Sequence, residues 1–480
     1  MSNTPNLQSV VEGLLRRAEP LVYGLTVEQE RCRNMLTSLG AKWVELPLLG
    51  DVEHLISIVE NQPDGTLFLS EELYFWLDGE RGSAALQKLL STLERNEKSV
   101  WLLGTEREVP GSLQRLLVRV ELPLPTLDEL AQCMREEAGL SEGTSQSDEQ
   151  IQEWVALARG FTLREWKRLL TEFDHETGHE GISSRIQAEK SRLLKTASYL
   201  ELESVPESIK SLGGLDVLKE WLSGRKSAFG PEAQSYGLPQ PKGLLLLGIQ
   251  GCGKSLSAKA IASSWSLPLA RLDLGQLFRS NSSPEAALRD TLRSAESLAP
   301  MVLWIDEIDK TFSGLDAGAS DSLRRLFGSF ITWLQEKQAP VFVVATANEV
   351  QGMPPELLRK GRFDEIFFVD LPDPSERRDI FGIHLSRHGR SPSEFDLHSL
   401  SAKSEFFSGA EIAETVVSAL YASFAERREL EQADLLMAVQ ETVPLYFTYE
   451  ERIKAFREWA SDRARNASRD KRVLDLFRTD

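Results

Sequence analysis

Apolar positions along the chain come in short unbroken runs separated by stretches of helical spacing, and the alternation is clearest in the second half. Lys242–Leu247 (KGLLLL), bounded by Pro241 and Gly248, reads as a strand buried on both faces. Helical spacing follows over 255–265, an apolar run over 267–272, and helical spacing again over 285–297. Met301–Ile305 (MVLWI) predicts a third strand, 322–335 a helix, Val341–Thr346 (VFVVAT) a fourth strand and 366–369 a fifth, ending at Pro372. Strands alternating with helices in this way predict a parallel α/β sheet. Beyond Pro374 the pattern is helical, over 375–387, 409–426 and 432–441, and reads as a small α-helical lid.

The first half repeats this order more faintly. Leu21–Thr26 (LVYGLT) predicts a strand with a helix over 27–39, and Thr66–Leu69 and Val100–Gly104 predict two further strands. Segments 100–129 and 341–376 share one sequence of features: apolar strand, threonine, polar turn, Leu-Leu-basic, strand, Leu-Pro. The reading is an internal repeat; two unrelated α/β segments with convergent turns are the alternative. Residues 141–149 (SEGTSQSDE) read as a loop, and 186–204 as a helix and linker.

Chemistry concentrates at the ends of the predicted strands. Gly248-Ile249-Gln250-Gly251-Cys252-Gly253-Lys254-Ser255 fits the phosphate-loop pattern and lies between a strand and a helix, the context the pattern needs. Its glycines let successive backbone N–H groups curl around a phosphate, and the helix N-terminus adds a positive end. Lys254 would supply a point charge for the β- and γ-phosphates, and the Ser255 hydroxyl would ligate Mg²⁺. Asp306-Glu307 follow MVLWI at the end of a buried strand, where open α/β sheets bind ligands. Asp306 is expected to hold Mg²⁺ and Glu307 to orient and polarise the attacking water. Asn348 ends the next strand, within reach of a γ-phosphate or the lytic water; a turn-forming asparagine is the alternative. Arg359 and Arg362 bracket Lys360-Gly361; alone they read as a solvated basic turn, though an arginine from a neighbouring subunit can stabilise phosphoryl transfer. Asp309 receives no role.

Composition narrows the options. At roughly 150 residues per domain, 480 residues predict about three structural units. Hydrophobic residues at 41% and charged residues at 27% suit a soluble globular protein, and no run of about 18 apolar residues could span a membrane. The polar stretch MSNTPNLQSVVEGLLRR does not read as a secretory signal. Cys32, Cys133 and Cys252 are scattered, which argues against a disulfide framework or a zinc site and for a reducing, cytoplasmic compartment. The net charge of −18, without a basic stripe carrying aromatics, argues against nucleic acid and against a DNA-handling motor.

Gly213-Gly214-Leu215, the phosphate loop, LWIDEID, ATAN, LLRKGRFDE and Ser408-Gly409-Ala410-Glu411 stand in the order of the hexameric branch of AAA-family ATPases. The chain resembles that branch strongly over about 205–460 and, in layout alone, over 10–140. LGGLDVLKEWL (212–222), FITWLQEKQAPVFVVATAN (330–348), PPELLRKGRFDEIFFVDLP (354–372) and ETVPL (441–445) are similar to segments of a subfamily of cyanobacteria, plastid genomes and other bacteria. In that subfamily a degenerate ATPase-like domain precedes the active one. The resemblance implies a P-loop NTPase parallel sheet with a C-terminal α-helical lid, preceded by a degenerate α/β domain. It divides the chain into 1–140, the degenerate domain; 141–204, a lid-like helical segment and linker; 205–372, the ATP-binding α/β domain; 373–445, the lid; and 446–480, a helical extension.

The resemblance also implies roles. Arg359 and Arg362 match the two arginines that act across a subunit interface, with Glu307 and Asn348 as the catalytic pair of the same site. Gly213, Gly214, Ile380, His384, Gly409 and Ala410 match the surroundings of the adenine, and Gly248, Gln250, Gly251, Cys252, Gly253, Lys254, Ser255, Leu256 and Asp306 the rest of the ATP site. His384 as a lid-core histidine is the alternative. The implied cofactors are ATP and Mg²⁺; the implied assembly is a homo-oligomer, a hexamer, that remodels or regulates a protein partner without membrane contact. A slow-turnover nucleotide switch or assembly scaffold is the alternative reading. Two departures bear on this choice. Where the branch carries an aromatic–apolar–Gly loop that grips peptides, this chain has Phe278–Glu285 (FRSNSSPE), polar and without glycine, with Phe278 read as the apolar face of the preceding turn. This weighs against threading of substrates. In the first half, LVYGLT is followed by Val27-Glu28-Gln29-Glu30, without glycine loop or lysine, and Ser70-Glu71 stands at the acidic strand end. No nucleotide is expected there; the domain reads as one for partner binding or assembly. Cys252 reads as a small residue in a tolerant loop position, with a thiol acidified by the helix N-terminus as the alternative. Tyr449–Asp480 is rich in charge with helical spacing and reads as a solvated terminal helix, with docking on a neighbouring subunit or a partner as the alternative.

Overall fold

The computed structural model describes residues 7–46, 52–70, 79–105, 115–138, 145–171, 178–194, 199–203, 209–229, 233, 236–279, 283–312, 321–359 and 361–469. The chain forms two compact units, Met1–Gly178 and His179–Asp480.

In the first unit, β1 (Leu21–Leu25), β2 (Trp43–Glu45), β3 (Leu67–Ser70), β4 (Ser99–Gly104) and β5 (Val118–Glu121) form a parallel sheet in the order β2-β3-β4-β1-β5. β1 is buried along its whole length because alternate side chains enter different cores. Leu21, Tyr23 and Leu25 join Phe68 and Leu102 on one face; Val22 joins Val11, Cys32, Leu36 and Trp101 on the other. Helices Leu127–Ala138, Ser145–Ala158 and Leu163–Thr171 follow. The second of these begins inside the stretch expected as a loop over 141–149, and its buried Ile151, Trp154, Val155 and Ala158 recur at the three-to-four spacing that packs one helix face. Residues 141–144 lie outside the described residues.

In the second unit, β6 (Leu200–Leu202), β7 (Gly243–Gly248), β8 (Leu269–Leu272), β9 (Met301–Ile305), β10 (Val341–Ala347), β11 (Glu365–Val369) and β12 (Arg465–Asn466) form a sheet in the order β12-β11-β7-β10-β9-β8-β6, with only β6 antiparallel to its neighbour. Leu244–Leu247 and Val341–Val344 are fully buried, as runs flanked by helices on both faces must be. Its central strands β8-β9-β10-β7-β11 repeat the arrangement of the first sheet: second, third, fourth, first, fifth in chain order. The lid helices Pro374–Arg387, Leu397–Lys403, Gly409–Ala425 and Gln432–Glu441 enclose Phe381, Leu385, Leu400, Ile412, Val416 and Leu435.

Three expectations change. Residues 186–204 are not simply helix and linker: Gly178–Leu194 is a helix of the second unit, and Leu200–Leu202 pairs with β8, so the units part at Gly178/His179 and not near 204. The C-terminal stretch is not one helix, since Glu450–Ser461 ends before β12, which adds to the edge of β11; 470–480 lie outside the described residues. Phe278 does not form the apolar face of its turn: it is 42% exposed, and its neighbour Leu277 is the buried residue. Residues 280–282 of that polar segment, like Glu71, lie outside the described residues. Among the described residues no helix is long and apolar enough to cross a membrane.

Candidate nucleotide site

The loop after β7 leads into helix Lys254–Trp265 with Gly253 as its left-handed N-cap. Gly251, at φ +79°, lies where a Cβ would stand 3.0 Å from Ser408 Oγ and 3.1 Å from Ala410 Cβ. A side chain there would force the lid off the loop. The lid closes on this loop through the Ala410 N–H, which donates to Gly251 O at 2.9 Å. Lys254 folds back over the loop, donating to Gly248 O at 2.8 Å and Ile249 O at 2.7 Å. Burial pushes its ammonium down to about 8. Burial also pushes the Cys252 thiol up to about 12.

Asp306 and Glu307 follow β9 directly, and Thr346 and Asn348 lie at the end of the neighbouring strand, because β9 and β10 are paired. Asp306 Oδ1 accepts from Ser255 Oγ at 3.1 Å and from Thr346 Oγ1 at 2.5 Å. Thr346 Oγ1 in turn accepts from the Glu307 N–H at 3.0 Å. Asn348 Nδ2 donates to Glu307 Oε1 at 3.0 Å, and Lys310 Nζ to Oε2 at 2.6 Å. Asp309 is buried, and burial raises its carboxyl. Its Oδ2 accepts from the Asn348 and Glu349 N–H groups at 3.1 and 3.0 Å, anchoring the strand end that carries Asn348. Thr346 and Asp309 are the residues that sequence reasoning left without a role. A threonine inside an apolar run reads only as a strand former, and Asp309 carries no local pattern.

A cavity of about 230 Å³ opens beside the loop, lined by Gly213, Leu215, Gly251, Cys252, Gly253, Leu256, Asp370, Glu376, Ile380, His384, Gly409 and Ala410 among others. The predicted adenine-side residues Gly213, Ile380, His384, Gly409 and Ala410 thus meet around one space. Gly214, at φ +67°, is where any Cβ would overlap the Glu376 carboxylate. That carboxylate accepts from the Leu215 N–H at 3.1 Å and caps its own helix through the Asp373 N–H at 2.9 Å. Gly248, Gln250, Lys254, Ser255, Asp306, Glu307 and Asn348 stand outside the cavity's lining. Arg359 is exposed, neither it nor Arg362 lines the cavity, and Arg362 Nε is buried without a hydrogen-bond partner among the described residues.

Among the described residues no cluster of three or more His, Cys, Asp or Glu could hold a metal. A hydroxyl and one carboxylate, as in Ser255 and Asp306, suit Mg²⁺, which takes one or two protein ligands and completes its shell with water and phosphate.

Residues 244–371 match the family described as "ATPase family associated with various cellular activities (AAA)". The chain is 42% identical over 393 residues to an "uncharacterized AAA domain-containing protein ycf46" of Pyropia yezoensis, covering 80% of this chain and 79% of that protein. It is 40% identical over 401 residues to the protein of the same description from Guillardia theta, covering 82% and 79%. An "ATP-dependent zinc metalloprotease FtsH" of Chlorobium luteolum is 33% identical over 265 residues, 52% of this chain and 37% of that protein.

Proposed function

The chain belongs to the AAA family of ATPases, beside the ycf46-type proteins, and from that premise we propose that it binds and hydrolyses ATP as a ring-forming homo-oligomer, a hexamer. The observation that carries this reading is the hydrogen-bonded line Ser255–Asp306–Thr346–Glu307–Asn348 across two paired strand ends. Ser255 and Asp306 would hold Mg²⁺, which when bound offsets the charge of the phosphates. Lys254 exchanges its two loop carbonyls for phosphate oxygens. Glu307, oriented by Asn348, accepts a proton from the water that attacks the γ-phosphorus, while the bond from that phosphorus to the β,γ-bridging oxygen breaks and ADP leaves with phosphate as the other product. Arg359 and Arg362 act on a neighbour's site, completing it across the subunit interface. Ligand-dependent closure of the lid on Gly251 then remodels or regulates a protein partner in the cytoplasm. The first unit is an ATPase-like domain without a nucleotide, serving assembly or partner binding.

A second reading, a slow nucleotide switch or scaffold, is favoured by Lys310. With its ammonium on Oε2 and Asn348 on Oε1, both oxygens of Glu307 are engaged. The test is Glu307→Gln with turnover followed against protein concentration. The ring-ATPase reading expects nucleotide binding retained, turnover down by about 10² or more, and wild-type turnover per subunit rising as rings assemble. Normal turnover in the variant removes the water-activating role. A wild-type monomer that binds ATP and barely turns it over establishes the switch.

A further inference from the structure

The first unit repeats the layout of the nucleotide site, and its own side chains fill it. In the second unit the space for nucleotide is bounded by the loop after β7 and by the first turns of lid helices 374–387 and 409–425. The first unit has the same three parts: the loop after β1, helix Leu127–Ala138 and helix Leu163–Thr171. Both of its helices open with capping boxes. Thr126/Glu129 stands where the second unit has Asp373/Glu376, and Thr162/Glu165 where it has Ser408/Glu411. The link from lid to loop is repeated as well. Ala410 N–H donates to Gly251 O; Leu163 N–H donates to Glu28 Oε1 at 2.6 Å.

Within these bounds the first unit holds a bonded triad. Glu28 lies in the loop, and Arg31 in the first turn of the helix that follows it. Arg31 Nη2 donates to Glu129 Oε1 and Oε2 at 2.9 and 2.7 Å, and Nε to Oε1 at 3.2 Å. Arg31 Nη1 donates to Pro123 O at 2.6 Å and to Glu28 Oε2 at 3.2 Å. The Arg31 and Glu28 side chains are each only 7% exposed. Two carboxylates and one guanidinium leave one negative charge, which the N–H groups of Leu163 and Thr126, at two helix starts, solvate. Burial raises the Glu28 carboxyl; at Glu129 burial is outweighed by hydrogen bonds from Arg31 and Thr126, which hold it below its usual range.

We infer that Glu28, Arg31 and Glu129 are a built-in substitute for a nucleotide, locking the lid of the first unit onto its sheet in a single closed state. In the second unit the contents of the corresponding space can come and go, and lid position can follow them. In the first unit the contents are part of the chain, and opening the lid would break the Arg31–Glu129 fork and the Leu163–Glu28 bond together. The first unit is therefore a rigid platform that keeps one shape whatever the nucleotide state of the second. The inference holds whether or not the second unit hydrolyses ATP.

Hydrogen exchange on the full chain, free and with ADP·Mg²⁺, tests it, with Arg31→Met as the disrupting variant. Segments 127–138 and 163–171 are expected to exchange at the same rates with and without nucleotide in the wild type. In Arg31→Met they are expected to exchange on the order of a hundredfold faster, the effect of removing one partner of a buried pair. Arg31→Lys keeps the charge but loses the planar fork, and is expected to fall between. Nucleotide-dependent protection of 127–138 or 163–171 in the wild type overturns the lock, and so does a folded Arg31→Met with unchanged rates there. Should Arg31→Met fail to fold, Glu28→Gln keeps the shape of the site; faster exchange over 163–171 supports the lock, and wild-type rates overturn it.

Discussion

Glu307 has a backbone φ of +49°, a left-handed conformation that an L side chain adopts at an expense of order 1 kcal/mol. The turn aims its carboxylate at Asn348, and the Thr346 hydroxyl, 1% exposed as a residue, receives its N–H. Because the same hydroxyl donates to Asp306, one side chain ties the Asp306 carboxylate to the Glu307 backbone. Thr346→Val keeps the shape, removes both bonds and leaves the Glu307 N–H unpaired. Turnover is expected to fall by about tenfold or more with stability lower by roughly 1–3 kcal/mol, nucleotide affinity changing far less and Thr346→Ser recovering most of the rate. Steady-state hydrolysis beside nucleotide titration checks this; wild-type turnover in Thr346→Val would show that the two carboxylates work without the link. At this scale Asp306 and Glu307 were legible, because an acidic pair closing an apolar run is a local pattern. Choosing between Leu277 and Phe278 was beyond it. Two adjacent apolar residues in a turn cannot both face the core, and spacing does not say which one does.

Helix 450–461 and β12 act as a strap along the border of the cavity. Phe456 packs edge-on against Phe368 with ring centroids 5.2 Å apart, and Arg457 makes a two-toothed pair with Asp370, at 2.8–3.0 Å. Ala467 N–H donates to Phe368 O, Leu218 N–H donates to Ala467 O, and Ser468 Oγ donates to Glu376 Oε1 at 2.5 Å. The strap thus joins β11, helix Asp216–Ser223 and the first lid helix; the lid helix lines the cavity, and so do Asp370 and Leu215, the residues next to the other two. Ala467 is 1% exposed, so Ala467→Leu is expected to overpack the site, lowering stability by about 1–3 kcal/mol. Arg457→Ala should lower it by less than about 1 kcal/mol, because the pair is 34% and 40% exposed. Thermal melts with and without ADP rank the two; the reverse order would mean that the ion pair, and not the inserted backbone, holds the strap. β12 had no apolar pattern to announce it, and β6 only the three residues Leu-Glu-Leu, too short to read as a strand. Arg465-Asn466 and Leu200–Leu202 are strands only because an unpaired sheet edge supplies their hydrogen bonds.

For the whole molecule, the proposed shared site makes a sharper demand than any single chain can meet. Arg362→Ala is expected to abolish hydrolysis alone, while mixed assemblies with Glu307→Gln should regain part of it, since some interfaces then combine an intact Arg362 with an intact Glu307. No recovery at any mixing ratio would place both residues in one chain's site. What the sequence determined by itself was whatever adjacent residues can express. The phosphate loop is eight consecutive residues acting through their own backbone, and buried parallel strands are unbroken apolar runs. Tertiary structure alone decided the strand order shared by the two sheets, the strap, and the triad in the first unit. Arg31 meets Glu129 across 98 positions, Glu28 meets Leu163 across 135, and Ser468 meets Glu376 across 92. Such meetings depend on how distant surfaces pack, and packing of that kind leaves no periodic trace along the chain.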